Sequence, residues 1–345
     1  MKSHLRSLKN RVRRVAKFAW IYSLYASGAL AICKMWARRS GAILVLTLHR
    51  VLDNEEYEKT SSLPGMVIRL QTFAALMRHL AHYAEPVDLN RTNLFDIYRA
   101  RQPVVITFDD GWRDTGTIAF PVATCGGFPI TVFVCPGLAG HIAPFWPERY
   151  VAMRRRVGVR PDANEVEALK HASGDRREHI FATLRISRAD EEAQFVAREP
   201  NAMTMSWEQL RRLAAAGACI GSHTHTHQIL TTISLGAADE EIGRSKQEIL
   251  AEMGKCHVFA YPNGNYSEDV VNVVQHHGYQ FAFTTQTGWW RRKSDRFKIP
   301  RINISENKVT GPSGRFSRAV FEYFCFWKPI LNRAETCGVS ASQAE

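Results

Sequence analysis

Two adjacent carboxylates, Asp109 and Asp110, stand directly behind the apolar run PVVITF at residues 103–108. A run so short and continuous reads as a strand buried on both faces. Two charges at its end are costly to bury unless a cation or hydrogen bonds compensate them. The chain must therefore bring the end of a core strand to a compensated polar site, and a metal ion is the economical compensation. A second segment offers the missing ligands: Gly221-Ser222-His223-Thr224-His225-Thr226-His227 follows the apolar stretch Ala218 to Ile220. One Asp with two His makes a three-ligand site. A regular strand through this segment would put all three histidines on one face, leaving His225 as good a ligand as its neighbours.

Short apolar segments alternate with helical patterns along the body. Candidate strands are Ala42 to Leu48, Val104 to Phe108, Ile130 to Val134, Ala218 to Gly221, Val258 to Tyr261 and Phe281 to Thr285. Candidate helices are Gln71 to Tyr83, Ser206 to Ala216, Ala237 to Met253 and Glu268 to His277. This alternation predicts an α/β fold with parallel strands, a barrel or an open sheet. Asp109, His223 and Tyr261 fall just past strand ends, which favours a barrel mouth. The charged region 137–205 breaks the rhythm and reads as a helical insertion over the rim.

The positive charge is local. Residues 1–40 hold ten Lys and Arg and no acid, against a net charge of +12 for all 345 residues, so the body is close to neutral. No nucleic-acid partner is expected from such a body. Within the arm, FAWIYSLYASGALAIC from Phe18 to Cys33 is uncharged. It is short for a spanning helix, which needs about 20 residues. Its expected roles are a helix on an anionic membrane surface, a helix packed on the domain, or an uncleaved signal anchor. Seven scattered cysteines without a C-x-x-C pair suggest buried thiols in a reducing compartment, so a cytoplasmic location, with a place at the inner face of a membrane, is expected.

TFDDG at 107–111, IGSHTHTH at 220–227 and FAYPNG at 259–264, in this order, resemble the motifs of the polysaccharide deacetylases, carbohydrate esterase family 4, with the NodB-homology domain. The resemblance covers roughly residues 42 to 304. It implies a distorted, seven-stranded (β/α) barrel at 41–304, with the basic, apolar helix at 1–40 before it. An aromatic helix within FSRAVFEYFCFWKPIL (316–331) and a disordered tail would follow within 305–345. It also implies a divalent metal at the mouth, Zn²⁺ by default with Co²⁺ or Ni²⁺ admissible, held by Asp110, His223 and His227, with His225 at a variable position. Asp109 would be the general base.

The commonest members supply the leaving-group proton from a C-terminal His motif that this chain lacks. Leu46-Thr47-Leu48-His49-Arg50-Val51 is similar to the N-terminal element of the branch that includes poly-N-acetylglucosamine deacetylases, making His49 the general acid. Tyr261, Pro262, Asn263 and Gly264 match the motif whose backbone N–H, here that of Asn263, faces the oxyanion. The Arg that often precedes this motif is absent, and Arg301 could supply its charge from another strand end. Trp146, Trp289 and Trp290 are candidates for stacking on sugar rings. The implied activity is hydrolysis of N-acetyl groups on an acetylated glycan or lipid-linked sugar. Deformylation of a lipid-linked amino sugar, another amidase activity, a non-catalytic glycan-binding barrel and a basic nucleic-acid or membrane adaptor are the alternatives.

Overall fold

β-Branched and aromatic runs form the strands of the computed structural model, which describes residues 2–91, 94, 101–141, 145–156, 158–159, 161–183, 199 and 202–332. They are β1 (Leu44–Leu48), β2 (Arg50–Leu52), β3 (Val67–Arg69), β4 (Ala84–Pro86), β5 (Gln102–Phe108), β6 (Ile130–Val134), β7 (Cys219–Ser222), β8 (Val258–Ala260), β9 (Phe281–Phe283) and β10 (Ile302–Asn303). β2 and β3 pair with each other, and the rest form one sheet in the order β10-β1-β5-β6-β7-β8-β9, with β4 also on β5. Every pairing in that sheet is parallel. All residues of β1, β5 and β6 are buried, as a sheet covered on both faces requires.

The sheet curls until its ends meet. Ile299 bridges Phe283 of β9, and three residues later Ile302 and Asn303 pair with Leu46 and Thr47 of β1. The expected distorted barrel is therefore present, its seven-strand path brought round by residues 299–303. Two cores follow from strand alternation. Leu44, Leu46, Val104, Ile106 and Phe108 pack outward with the helices Leu70–Tyr83, Trp207–Ala215, Leu235–Met253 and Glu268–His276. Val45, Val105, Phe133, Val258 and Phe283 fill the barrel. Trp290 lies in this inner core, and Trp289 packs in the outer one with its Nε1 donating to Cys325 O. Both indoles are buried, so neither presents a face for stacking on sugar.

Between β6 and β7, the helices Trp146–Arg156, Ala163–Lys170 and Gly174–Thr183 share a small core of their own around Tyr150, Val151, Leu169 and Phe181. Trp146 is half-buried and packs against that core with the Arg177 guanidinium over its ring. At the N-terminus the apolar run is not one helix. Helices Lys2–Ala26 and Ala29–Arg39 are bent by 66° about Gly28, whose φ of 79° is open to glycine. Among the described residues no single helix is long and apolar enough to cross a membrane, although this bent pair passes the same test jointly. The expected C-terminal helix runs from Arg318 to Asn332, and the tail expected to be disordered, 333–345, lies outside the described residues.

Candidate active site

The period of two along β5 decides where its carboxylates go. Because Val104, Ile106 and Phe108 face the helices, Val105, Thr107 and the next odd residue, Asp109, face the barrel interior. Asp109 N–H still donates to Leu48 O at 3.0 Å, and the chain then turns through left-handed Asp110 (φ 75°) and Gly111 (φ 73°). At a non-glycine residue that conformation costs on the order of 1 kcal/mol. The turn leaves both carboxylates at one rim, each only 2% exposed. Trp112 Nε1 donates to Asp110 Oδ2 at 3.0 Å and fixes the second carboxylate.

Arg301 answers the charge of Asp109. Its Nη1 and Nη2 donate to Oδ1 and Oδ2, both at 2.7 Å, while Nε donates to Thr284 O at 2.8 Å. The guanidinium is fully buried, so the fork is locked before any ligand arrives. Burial pushes the Asp109 pKa up, but Arg301, then His223 and His49, outweigh it and hold the group below the usual carboxylate range. Each oxygen retains lone-pair capacity beyond its bond to Arg301.

The histidines occupy an irregular turn, neither strand nor helix: Thr224 (φ 64°) and His227 (φ 63°) are left-handed. His223 follows β7 directly, and its Nδ1 lies 2.7 Å from Ala260 O. A carbonyl can only accept, so Nδ1 carries the proton and Nε2 is the bare nitrogen. Burial drives the His223 pKa down to about 4, more than the nearby carboxylates restore, so the ring is neutral at neutral pH. Its Nε2 is 3.6 Å from Asp110 Oδ1, and His227 Nε2 is 3.3 Å from the same oxygen. That oxygen is buried and takes no hydrogen bond.

The bare His223 Nε2, turned toward this buried carboxylate oxygen, repels it unless a cation lies between them. Tetrahedral coordination at about 2.0–2.1 Å separates ligand atoms by roughly 3.3 Å, close to what is found here. The three ligand atoms all lie within 4.8 Å of one another. The donor set therefore fits a divalent cation. His225 is excluded from it: its Nε2 meets Glu248 Oε1 at 3.1 Å, and its ring covers Gly137 so closely that a Cβ there would stand 2.6 Å away.

The remaining sequence candidates separate. His49 is half-buried one residue past β1, close enough to Asp109 and Asp110 for its field to act on both, and its buried Nδ1 has no hydrogen-bond partner. Asn263 sits at the rim in a left-handed turn (φ 57°). Tyr261, however, is turned into the core with its hydroxyl donating to Phe297 O at 3.0 Å, so its side chain does not line the mouth. Pro262 is buried as well. Gly264 packs closely on a neighbour: at φ 79°, a Cβ would lie 2.0 Å from Thr285 Oγ1.

Several supporting groups had no sequence signal. Glu241 accepts from Thr226 N (2.8 Å) and Thr226 Oγ1 (2.6 Å) and clamps the histidine turn, and Phe145 meets the His227 ring edge-on at 5.0 Å. Glu148, on the first insertion helix, is fully buried with neither carboxyl oxygen hydrogen-bonded. Burial, and then the negative field of Asp110, push its pKa up to about 8. Trp112 alone was traceable, since it follows the DDG turn directly.

Comparison with known proteins places this geometry. The family model for polysaccharide deacetylase matches residues 97–282, more than half of the chain. YxkH of Bacillus subtilis (strain 168), assigned by name to the polysaccharide deacetylases, is 23% identical over 204 residues, which are 59% of this chain and 51% of that protein. The match thus spans about half the length of this curated relative. Among solved structures, the deacetylase PplD of Streptococcus pyogenes in complex with acetate aligns with a TM-score of 0.54 and 16% identity, over 77% of this chain and 94% of its own. IcaB from Ammonifex degensii aligns with a TM-score of 0.53 and 19% identity, over 77% and 93%. At such identities the likeness establishes the shared barrel.

Proposed function

The chain belongs to the polysaccharide deacetylase family, and from that membership we propose that it hydrolyses N-acetyl groups of amino sugars in a cell-envelope glycan, exopolysaccharide or lipid-linked saccharide. The observation that carries the reading is the pairing of Asp109 with Arg301 beside three converging ligand atoms of Asp110, His223 and His227. A divalent cation held there, zinc by ligand type, would supply Lewis acidity to the amide carbonyl and to the attacking water.

The chain's own residues do the rest. Asp109 accepts a proton from the water as its oxygen bonds to the acetyl carbon, and Arg301 keeps that carboxylate ionised and aimed. The N–H of Asn263 donates to the oxyanion. His49 gives a proton to the sugar nitrogen as the C–N bond breaks, so acetate and a free amine leave. Asp110 is ionised for its part: burial alone would raise its pKa, but the imidazoles of His227, His49 and His223 hold it well below the ordinary range.

The test is acetate release from a panel of acetylated glycans and lipid-linked sugars, with chelated and zinc-restored protein and with Asp109→Asn and His49→Ala. Zinc-dependent release that both variants depress supports the reading. Formate release alone would move the activity to deformylation, release from non-sugar amides alone would move it to another amidase, and no hydrolysis at any metal loading would leave a glycan-binding barrel.

A further inference from the structure

The N-terminal helices break the usual rule for a helix docked on a domain, which turns its apolar stripe inward and its polar face out. Their inner side is indeed sealed. Ile21 packs with Ala319 and Val320 of the C-terminal helix, Leu30, Cys33 and Ala37 are buried, and Lys34 pairs with Glu322 at 2.5 Å. The outer side is apolar too. Val12, Val15, Ala19 and Ala26 recur at helical spacing and are all exposed, Val12 at 60% and Val15 at 64%, while Tyr22 stands at the edge of this stripe with its hydroxyl 3.1 Å from Ser317 Oγ. Past the bend, Ile32 is 62% exposed beside Met35, and Trp20 and Tyr25 flank the stripe. No charged side chain interrupts residues 18–33, while exposed Arg11, Arg13 and Arg14 precede them and exposed Arg38 and Arg39 follow.

We infer that the outer face of this helix pair is a docking surface for an anionic lipid bilayer, on which the helices lie without crossing. Three observations select that occupant. The apolar face with Trp and Tyr at its edges suits the headgroup boundary, where amphipathic aromatics settle. The surrounding charge is of one sign, ten basic residues and no acid in residues 1–40, which an anionic surface attracts. A second copy of the chain would bring the same charge against itself, and self-pairing is thereby opposed. Crossing is opposed by the inner face, since a spanning arrangement would strip Ile21, Leu30 and Ala37 from the domain. The pair enters the barrel at the N-terminal end of β1, whereas the site lies past the C-terminal ends of the strands. Docking therefore leaves the mouth clear.

The experiment reads binding and does not depend on the deacetylase reading. Full-length protein is sedimented with vesicles of phosphatidylcholine and with vesicles of equal parts phosphatidylcholine and phosphatidylglycerol, alongside Val15→Glu/Ile32→Glu and Arg11→Glu/Arg39→Glu. Melting temperature and far-ultraviolet circular dichroism report folding and are expected to stay unchanged. The wild type should partition onto the anionic vesicles and fall off with salt. Partition should drop more than tenfold for the apolar pair of changes and roughly tenfold or more for the charge pair. Wild type that stays in the supernatant with both vesicles, or variants that partition as the wild type does, would overturn the inference. So would a lipid-free dimer that Val15→Glu/Ile32→Glu disperses, because the face would then belong to a second copy.

Discussion

The barrel mouth and the N-terminal helix pair invert the ordinary sorting of residues in opposite ways. The mouth buries Asp109, Asp110, His223 and Arg301, whereas the helix pair exposes Val12, Val15, Trp20 and Ile32. A buried charge and an exposed apolar stripe are the two informative departures from average burial. They differ in what sustains them. Inside, compensation is already present at the Asp109–Arg301 fork, where both carboxylate oxygens are matched, and Asp110 Oδ1 is left wanting a cation. Outside, the compensation must come from another phase.

The mouth should fail hardest when its internal compensation is removed. Asp109→Asn, which keeps size and removes the charge, should lower kcat by about 10²–10⁴-fold in acetate-release assays while the fold survives. Arg301→Leu should act on both activity and stability, since it leaves a buried carboxylate without its partner. Denaturant unfolding should show a loss of about 3–5 kcal/mol. An Arg301→Leu protein as stable as the wild type would mean that the mouth is solvated and that the contrast between the two regions is false.

A pH series sharpens the same point at Glu148. Its folded pKa, about 8, stands above its ordinary value of 4.5. The folded state therefore binds a proton that the unfolded state gives up. The associated stability is whole below about pH 4.5 and is lost as pH rises from there through about 8, above which the loss is complete, on the order of several kcal/mol in all. Glu148→Gln should flatten that decline in thermal melts between pH 5 and pH 9. An unchanged slope would show that Glu148 finds a partner or solvent.

Much of the mouth was legible because its signals are local. Strand alternation places Asp109, a left-handed turn suits Asp-Gly after a strand, and the two histidines follow a second apolar run. Arg301 was harder: it lies far along the chain from Asp109, and only the closing of the sheet through residues 299–303 brings the two together. What remained hidden depends on packing that has no periodicity. Trp289 and Trp290 look like sugar platforms in a string of letters and are core in the fold. Glu241 is one acid among several on its helix until the histidine turn folds onto it. The apolar run 18–33 reads as a single helix because its composition is continuous, yet Gly28 bends it and turns one face outward.

Smaller effects separate the supporting residues. Gly264→Ala should cost about 1–3 kcal/mol through the clash with Thr285 and the left-handed backbone, measured by denaturant unfolding. His225→Ala should be the mildest change at the mouth, with catalysis altered only a few-fold, since its ring serves Glu248 and Gly137 and not the ligand cluster.

Metal content decides the central claim. After dialysis against zinc and removal of the free ion, elemental analysis of folded wild type and of His225→Ala should find about one zinc per chain, and Asp110→Asn, His223→Ala and His227→Ala should retain almost none. Folded wild type that takes up no divalent metal, or a set of variants that all bind as the wild type does, would contradict the account.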